Sequence, residues 1–409
     1  MTRIGSQSSS LRIGLIADDL TGALDSGAGF AKAGLRSVMP FGPTGSVALP
    51  VGADVIIFNT ASREGDAVVA RERAREAALR LLGHGVSLIY KKIDSVLRGH
   101  PGPELSGVLD AIAITHPGAR ALEAPAFPAQ GRTTVDGVQL VHGVPVASHL
   151  GRLEHALAPV FASCDIRDAT TDDDLRVIAR DGVAGERILW VGSAGLASQV
   201  VEAFRVSGAA SETREVDTWS DAPDRSASSG EVWNAVRPER VIVVAGTVHP
   251  ATVLQVEALV ADGWDHIAFD IGDPDGWPDE REVLRAMTNS STSGVVVSTH
   301  ANLAGHSHPD GVIDPSLVRN AITLLDRIAP IVSTLLMDGR TGLVVTGGET
   351  AQHLFTGIGV TSVDVSGEAL PGIPIGVMEF GGVRVRVATK SGGFGGSDAL
   401  RHVCRVLVS

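Results

Sequence analysis

Two successive acids after an apolar run open the chemistry of this chain: Asp18 and Asp19 follow Arg12–Ala17 and precede Leu20-Thr21-Gly22-Ala23. A buried strand giving way to a helix there puts both carboxylates on the edge where open α/β sheets bind ligands. Asp19 or Thr21 could instead be a helix N-cap, but a cap needs one short polar side chain, not two adjacent acids. A second block, Tyr90-Lys91-Lys92-Ile93-Asp94-Ser95-Val96-Leu97-Arg98-Gly99, ends another apolar run. If Ser87–Ile93 is a strand, alternation groups Lys91 with Ile89 and Ile93 and turns Lys92 and Asp94 to the other face. Lys92, Asp94, Ser95 and Arg98 then converge on the edge that carries Asp18 and Asp19. The alternative is a buried Lys–Asp pair that only holds loop geometry. Asn59-Thr60-Ala61-Ser62-Arg63 and the stretch from Ala124 to Thr134 each deliver an arginine, Arg63 and Arg132, to the same edge. A guanidinium fork there suits a carboxylate.

The C-terminal half uses a different vocabulary. Ala245-Gly246-Thr247, Val345-Thr346-Gly347-Gly348-Glu349-Thr350 and Thr389-Lys390-Ser391-Gly392-Gly393-Phe394-Gly395-Gly396 each follow an apolar run and precede a helical pattern. Glycine lets backbone N–H groups close on an anion at a helix N-terminus, so three such turns in one domain read as phosphate cradles. None has the Walker spacing, and Asp398 stands where a dinucleotide fingerprint wants its last glycine. Lys390 either meets a phosphate or caps the last strand. His300, His306, His308 and Asp310 have the only metal-like spacing, in a Gly/Pro-rich segment that reads better as an exposed loop, so no metal site is assigned. No G-x-S-x-G elbow occurs and neither cysteine has a catalytic context.

The elements that must position these side chains follow from short apolar runs alternating with amphipathic stretches, the pattern of βα units. Strands are expected at Arg12–Ala17, Asp54–Phe58, Ser87–Ile93, Ala119–Glu123 and Arg187–Val191, and again at Arg240–Ala245, His266–Asp270, Gly294–Ser298, Leu343–Thr346 and Arg384–Ala388. Helices are expected at Gly22–Ala33, Asp66–Leu82 and Pro103–Ile114. Ser207–Glu231 is rich in Ser, Asp and Ala and poor in large aliphatics, a linker composition. The fold expected is α/β: two α/β domains with mainly parallel sheets, residues 1–205 and 237–409, joined by a linker at 206–236, with an interdomain cleft.

At 409 residues, 44% hydrophobic and 20% charged, the chain can bury two cores and is too apolar for disorder. Its net charge of −13 gives no general attraction for nucleic acid or anionic lipid. Cys164 and Cys404 form neither a disulfide framework nor a zinc cage, and no leader or spanning segment is evident, so a cytoplasmic setting is expected. Lysine is scarce, at Lys32, Lys91, Lys92 and Lys390 only, and three of the four lie in the motif blocks. Lysine offers a point charge where arginine offers a fork, so at a phosphate or carboxyl site the two are not exchangeable.

Together the blocks IADDLTGALDSG, YKKIDSVLRGHPGPEL, APAFPAQGRTTVDGVQLVHGVPV, VGSAGLA, VVAGTVHPAT, VVTGGETA and ATKSGGFGGSDAL resemble, in order, the four-carbon acid sugar kinases, from about residue 12 to 402. The segment after Val146 departs from that family's usual Pro-rich stretch, and Gly396 stands where an acid is common. The resemblance implies an N-terminal sugar-acid-binding domain and a C-terminal nucleotide-binding domain. It further implies ATP-dependent phosphorylation of the terminal C4 hydroxyl of threonate, erythronate or 3-oxo-tetronate. Carried onto this sequence, Asp18, Asp19, Lys92, Asp94 and Arg98 would be catalytic, with Thr21, Arg63 and Ser95 binding substrate. Thr247, Gly347, Gly348, Glu349, Thr350, Lys390, Gly392, Gly393 and Gly395 would hold ATP, with Mg2+ bridging its phosphates. The expected partners are the sugar acid and ATP, with a homodimer as candidate assembly and no nucleic acid or membrane. The rivals are an α/β NAD(P)-dependent oxidoreductase and a non-catalytic two-domain sugar-acid-binding protein.

Overall fold

The computed structural model describes residues 11–146, 151–185, 188–207, 235–247, 249–288, 293–300 and 315–409, which divide into two compact units, Met1–Asp221 and Ala222–Ser409. The expected linker falls mostly outside the described residues, as do His306, His308 and Asp310.

In the first unit the strands are β1 (Ile13–Ala17), β2 (Ser37–Pro40), β3 (Val55–Asn59), β4 (Leu88–Lys92), β5 (Ala121–Ala124), β6 (Arg132–Val135), β7 (Val138–Val141), β8 (Val144–Pro145), β9 (Cys164–Ile166) and β10 (Leu189–Gly192). Seven form one sheet in the order β2-β3-β1-β4-β10-β5-β9, with every pairing parallel. β1, β4 and β10 are buried along their whole length, which is why they read as unbroken apolar runs instead of alternating ones. The remaining strands, β6, β7 and β8, form a separate antiparallel sheet.

Helices begin where the sequence supplies caps. Asp19 accepts from Gly22 N at the start of Leu20–Lys32, Asp66 accepts from Val68 N at the start of Ala67–Gly83, and a Thr171/Asp174 capping box starts Asp172–Ala184. Ala70, Ala74, Ala77, Ala78 and Leu81 form the buried stripe of Ala67–Gly83, small enough for that helix to lie close to the sheet and to Pro101–Ile112.

The second unit contains β11 (Arg240–Ala245), β12 (Asp265–Asp270), β13 (Gly294–His300), β14 (Thr341–Thr346), β15 (Val360–Leu370), β16 (Ile373–Phe380) and β17 (Val383–Lys390), in the order β12-β13-β11-β14-β17-β16-β15. The first five are parallel; β15 and β16 add an antiparallel meander. All the strands expected from the sequence are present within two residues. The meander was not expected: β15 alternates buried with exposed or half-buried residues instead of forming an apolar run, and a tight Pro371-Gly372 turn leads into β16.

The two sheets share one order. In each, the first strand in sequence is flanked on one side by the third and second and on the other by the fourth. The direction of chain travel therefore reverses between β1 and β4, and again between β11 and β14. Such reversals leave a crevice at the carboxyl ends of the strands. Among the described residues no helix is long and apolar enough to cross a membrane. Both cysteines are free and buried, and burial pushes each thiol up to about 12, so neither is a nucleophile.

Among the buried charged residues, Glu123 stands out in the core. Glu123 on β5 is fully buried, and neither carboxyl oxygen has a hydrogen-bond partner. Burial raises its pKa from 4.5 to about 8. An unfolded chain sheds this proton near 4.5 while the folded chain keeps it to about 8, so the folded state binds the extra proton and stability falls as pH rises across that window. Glu123→Gln should match the wild type at pH 5 and exceed it by about 3–6 °C in melting temperature at pH 9. Scanning calorimetry at the two pH values checks this, and equal melting temperatures at pH 9 would show that burial does not raise the Glu123 pKa.

Candidate active site

In the first unit the reversal point gathers the predicted side chains. β1 ends at Ala17, and Asp18 and Asp19 follow; the loop after β3 doubles back so that Thr60 N bonds Ala17 O at 2.8 Å and Ser62 N bonds Asp18 O at 3.0 Å. This brings Arg63 onto both acids. Its Nε donates to Asp18 Oδ2 at 2.7 Å, and Nη2 donates to Asp18 Oδ1 at 2.9 Å and to Asp19 Oδ1 at 2.6 Å. Asp94 Oδ1 lies 3.6 Å from the same nitrogen.

Asp19 is both the N-cap of Leu20–Lys32 and a member of the acid cluster. Thr21 Oγ1 donates to its Oδ2 at 2.6 Å. Asp94, just beyond β4, is forked by Arg98 at 3.0 and 2.8 Å and accepts from the backbone of Val96 and Arg98. The Arg98 side chain is 63% exposed, so it screens Asp94 from the solvent side.

Lysines 91 and 92 part as alternation requires. Lys91 goes to the core face beside Ile89 and Ile93. The Lys92 ammonium reaches the acid cluster, so near Gly22 that a Cβ there would lie 2.5 Å from both Lys92 Nζ and Asp19 Oδ1. Only glycine leaves room for that approach.

Charge pairing sets the titration. Burial pushes the Asp18 carboxyl up, but Arg63, with Lys92 and Lys91 behind it, holds it below the usual carboxylate range. Asp94 is likewise held down against burial by Arg98, Arg63 and Lys92, and the Arg63 guanidinium is held well above its ordinary value by the three acids. Ser95 enters through its carbonyl, which accepts from Gln139 Nε2 on β7 at 2.7 Å, while Thr134 Oγ1 on β6 donates to Gln139 Oε1 at 2.8 Å. Gln139 therefore ties the hairpin to the acid-base cluster, and Arg132 at the hairpin's start lies close enough to feel Asp94 and Arg98. Sequence reasoning did not find Gln139; its burial between two half-exposed strand residues is the signal, and only a hairpin assignment would have exposed it.

In the second unit the three glycine turns meet. Gly347, at φ +99°, starts the helix Gly348–Ile358, and its N–H bonds Lys390 O at 2.8 Å. A Cβ on Gly392 would lie 2.8 Å from Thr247 Oγ1, and one on Gly246 2.2 Å from Thr350 Oγ1, so Thr247 and Thr350 join the turns after β11, β14 and β17. Glu349 is exposed in the first turn of that helix.

Lys390 is wholly buried under the last loop. Its Nζ lies 3.0 Å from Thr252 Oγ1, 2.9 Å from Ser391 O, 3.0 Å from Gly392 O and 3.3 Å from Phe394 O. Gln255 Nε2 adds the carbonyls of Phe394, Gly395 and Gly396 at 3.1, 3.1 and 2.9 Å. The loop's carbonyls thus point inward, while no hydrogen bond among the described residues uses the N–H groups of Gly392, Gly393 and Gly395. Those exposed or half-exposed amides can face an anion.

His249 was overlooked by sequence reasoning as well. It caps Pro250–Ala261 by accepting from Ala251 N on Nδ1 at 3.2 Å, which places its remaining proton on Nε2, beside Gly393. Among the described residues no group of three or more His, Cys, Asp or Glu forms a metal cage.

The geometry of two ligand edges, one built from paired charges and one from main-chain amides, agrees with the division made by family models. A sugar-binding N-terminal domain matches residues 13–161 and a nucleotide-binding C-terminal domain matches residues 242–400. The chain belongs to the four-carbon acid sugar kinases. Among relatives in this kinase family, a D-threonate kinase of Bordetella bronchiseptica is 28% identical over 442 residues, 97% of each chain. A 3-oxo-tetronate kinase of Methylobacterium radiotolerans is 27% identical over 95% of this chain and 97% of its own. A D-erythronate kinase of Heliobacterium modesticaldum is 40% identical over 138 residues, 32% of this chain and 30% of its own. A solved structure from Salmonella typhimurium has the same fold, with TM-score 0.74 and 19% identity over 97% of this chain and 99% of that one.

The inward-facing carbonyls make Lys390 the support of the last loop. Lys390→Met should weaken ATP binding by about ten- to hundredfold through loss of charge-assisted hydrogen bonds. It should leave sugar-acid binding unchanged. Calorimetric titration of the variant with each ligand tests this; wild-type ATP affinity would relieve Lys390 of that role.

Proposed function

We propose that the chain is an ATP-dependent kinase that phosphorylates the terminal C4 hydroxyl of a four-carbon acid sugar of the threonate, erythronate or 3-oxo-tetronate type. The observation that carries this reading is the presence in one chain of two reversal-point edges of opposite character, each within its own unit: acids and bases on residues 18–98 and glycine amides on residues 246–396. Residues 1–205 would bind the sugar acid and residues 237–409 the nucleotide, with 206–236 as linker. The relatives, each named a kinase of a four-carbon acid, support the substrate class.

Phosphoryl transfer asks for alignment and charge neutralisation more than for covalent chemistry. Asp19 is the group we assign to orient the attacking hydroxyl and to receive its proton as the bond to phosphorus forms. Asp18 holds Arg63 in place, and Lys92 faces both acids, where it can balance charge on the transferring group. Arg98 and Arg63 suit the substrate carboxylate, with Thr21 and Ser95 beside them. Thr247, Gly347, Gly348, Glu349, Thr350, Gly392, Gly393 and Gly395 are assigned to the triphosphate, with Lys390 beneath them. Mg2+ would arrive on the nucleotide, since its hard-cation preference is met by phosphate oxygens, and it supplies charge neutralisation there.

Asp19→Asn keeps a good N-cap but removes the charge, so the fold should be retained. Turnover should fall by about 10²–10⁴-fold, with ADP affinity nearly intact. Coupled ADP release over a panel of tetronates and 3-oxo-tetronates measures both the substrate and this loss. Wild-type turnover in the variant would remove Asp19 from the mechanism, and sugar-acid binding with no ADP release by the wild type would return the non-catalytic binding protein.

A further inference from the structure

Beneath the acid cluster runs a buried polar chain with no ligand to bind. Lys91 Nζ lies 2.8 Å from Glu104 Oε2 and donates to the backbone carbonyl of Lys92 at 2.7 Å. Glu104 Oε1 accepts from Ser62 Oγ at 2.5 Å, and Ser62 Oγ lies 2.7 Å from Thr60 Oγ1, which is 3.0 Å from Ala17 O. Lys91, Glu104, Ser62 and Thr60 are 0%, 1%, 1% and 4% exposed. A buried ion pair is poor evidence for stability, because apolar side chains of similar volume often serve the fold as well or better. The ends of this chain are more informative than its middle. One end grips the backbone of Lys92, the other the backbone of Ala17 just before Asp18, and Ser62 immediately precedes Arg63.

We infer that Lys91 and Glu104 are positioning residues that fix the ends of β1, β3 and β4 relative to one another, so that Arg63, Asp18 and Lys92 meet in one arrangement. The inference deepens the kinase reading and rests on it for its kinetic consequence. The pair touches no substrate; it acts through Ser62 and through the Lys92 carbonyl. Glu104 is carried by Pro101–Ile112, so that helix holds the register of the strand ends as well as covering the sheet. Loss of a fraction of an ångström in this register is costly because transfer depends on alignment.

Two variants separate positioning from simple support. In Lys91→Met/Glu104→Leu both charges leave together, so no unpaired charge is buried and the melting temperature should stay within about 5 °C of the wild type. Sugar-acid KM should rise and kcat fall by about tenfold or more each, while ATP KM stays the same. Ser62→Ala keeps the ion pair and cuts only its link to the Arg63 loop. It should show the same split in smaller measure and serves if the double variant does not fold. A stable variant with wild-type kcat and sugar-acid KM would overturn the inference.

Crystal structures of both variants read it without any substrate. Opening of the Arg63 fork on Asp18, or a shift of the Lys92 ammonium, supports positioning; an unchanged cluster in both variants overturns it. A wild-type chain that turns over no four-carbon acid would count against the kinase reading alone, and the crystal structures would still decide the role of Lys91 and Glu104.

Discussion

The Arg63 guanidinium is the constraint on which the first unit's ligand edge depends. Asp18 and Asp19 are adjacent in sequence, nearly buried, and joined by Asp94 from the neighbouring strand. Three carboxylates so placed would repel one another, and one or more would take up a proton. One fork from the loop after β3 satisfies three of their oxygens and reaches toward a fourth. Its effect is geometric as well as electrostatic: Arg63 comes from β3, the acids from β1 and β4, so a single side chain ties three strand ends together. The cluster is therefore ordered before any ligand arrives, which is what preorganised electrostatics requires.

On the kinase reading, the same sheet order would serve two different ways of handling anions. In the first unit the crevice is lined by side chains whose charges are paired with one another, an arrangement that can discriminate a small polar molecule by the direction of each donor. In the second unit the loops after β11, β14 and β17 present main-chain amides, and the buried Lys390 faces the carbonyls behind them. Its pKa is pulled by burial from 10.5 to about 8, so it remains an ammonium at neutral pH. Turning carbonyls inward toward a buried cation turns amides outward, and a triphosphate needs many weak donors in a row more than one strong one.

Much of this was legible in the sequence, for identifiable reasons. Parallel strands buried on both faces leave apolar runs with sharp ends, so β1, β4, β11 and β14 could be placed within two residues, and with them the acids that follow β1 and β4 and the glycine turns that follow β11 and β14. Alternation alone separated Lys91 from Lys92. What stayed hidden was set by contacts distant in sequence. β15 alternates like a half-exposed strand, so nothing local joins the β15–β16 meander to the parallel strands beside it. Glu104 reads as an ordinary first-turn acid of a helix, and only the fold shows that it is buried against Lys91. Gln255 and Thr252 look like stray polar residues in an apolar helix until the β17 loop is seen resting on them. The shared strand order left no trace as a sequence repeat, because order is a matter of pairing and each pairing tolerates many side chains.

On the kinase reading, the distribution of hydrogen bonds narrows how the acids can act. Asp18 gives both oxygens to Arg63, and Asp94 divides its own between Arg98 and two backbone amides, and both are held below the usual carboxylate range. Carboxylates so engaged are weak bases, with little tendency to take a proton from an alcohol before the bond to phosphorus forms. A loose transition state makes that a small handicap, since the hydroxyl becomes acidic only late, when transfer is well advanced. What must be present early is direction. Asp19, capped onto its helix by Gly22 N and braced by Thr21, has the fixed orientation that an attacking oxygen would need, and its neighbours supply the charge balance that lets it keep that orientation.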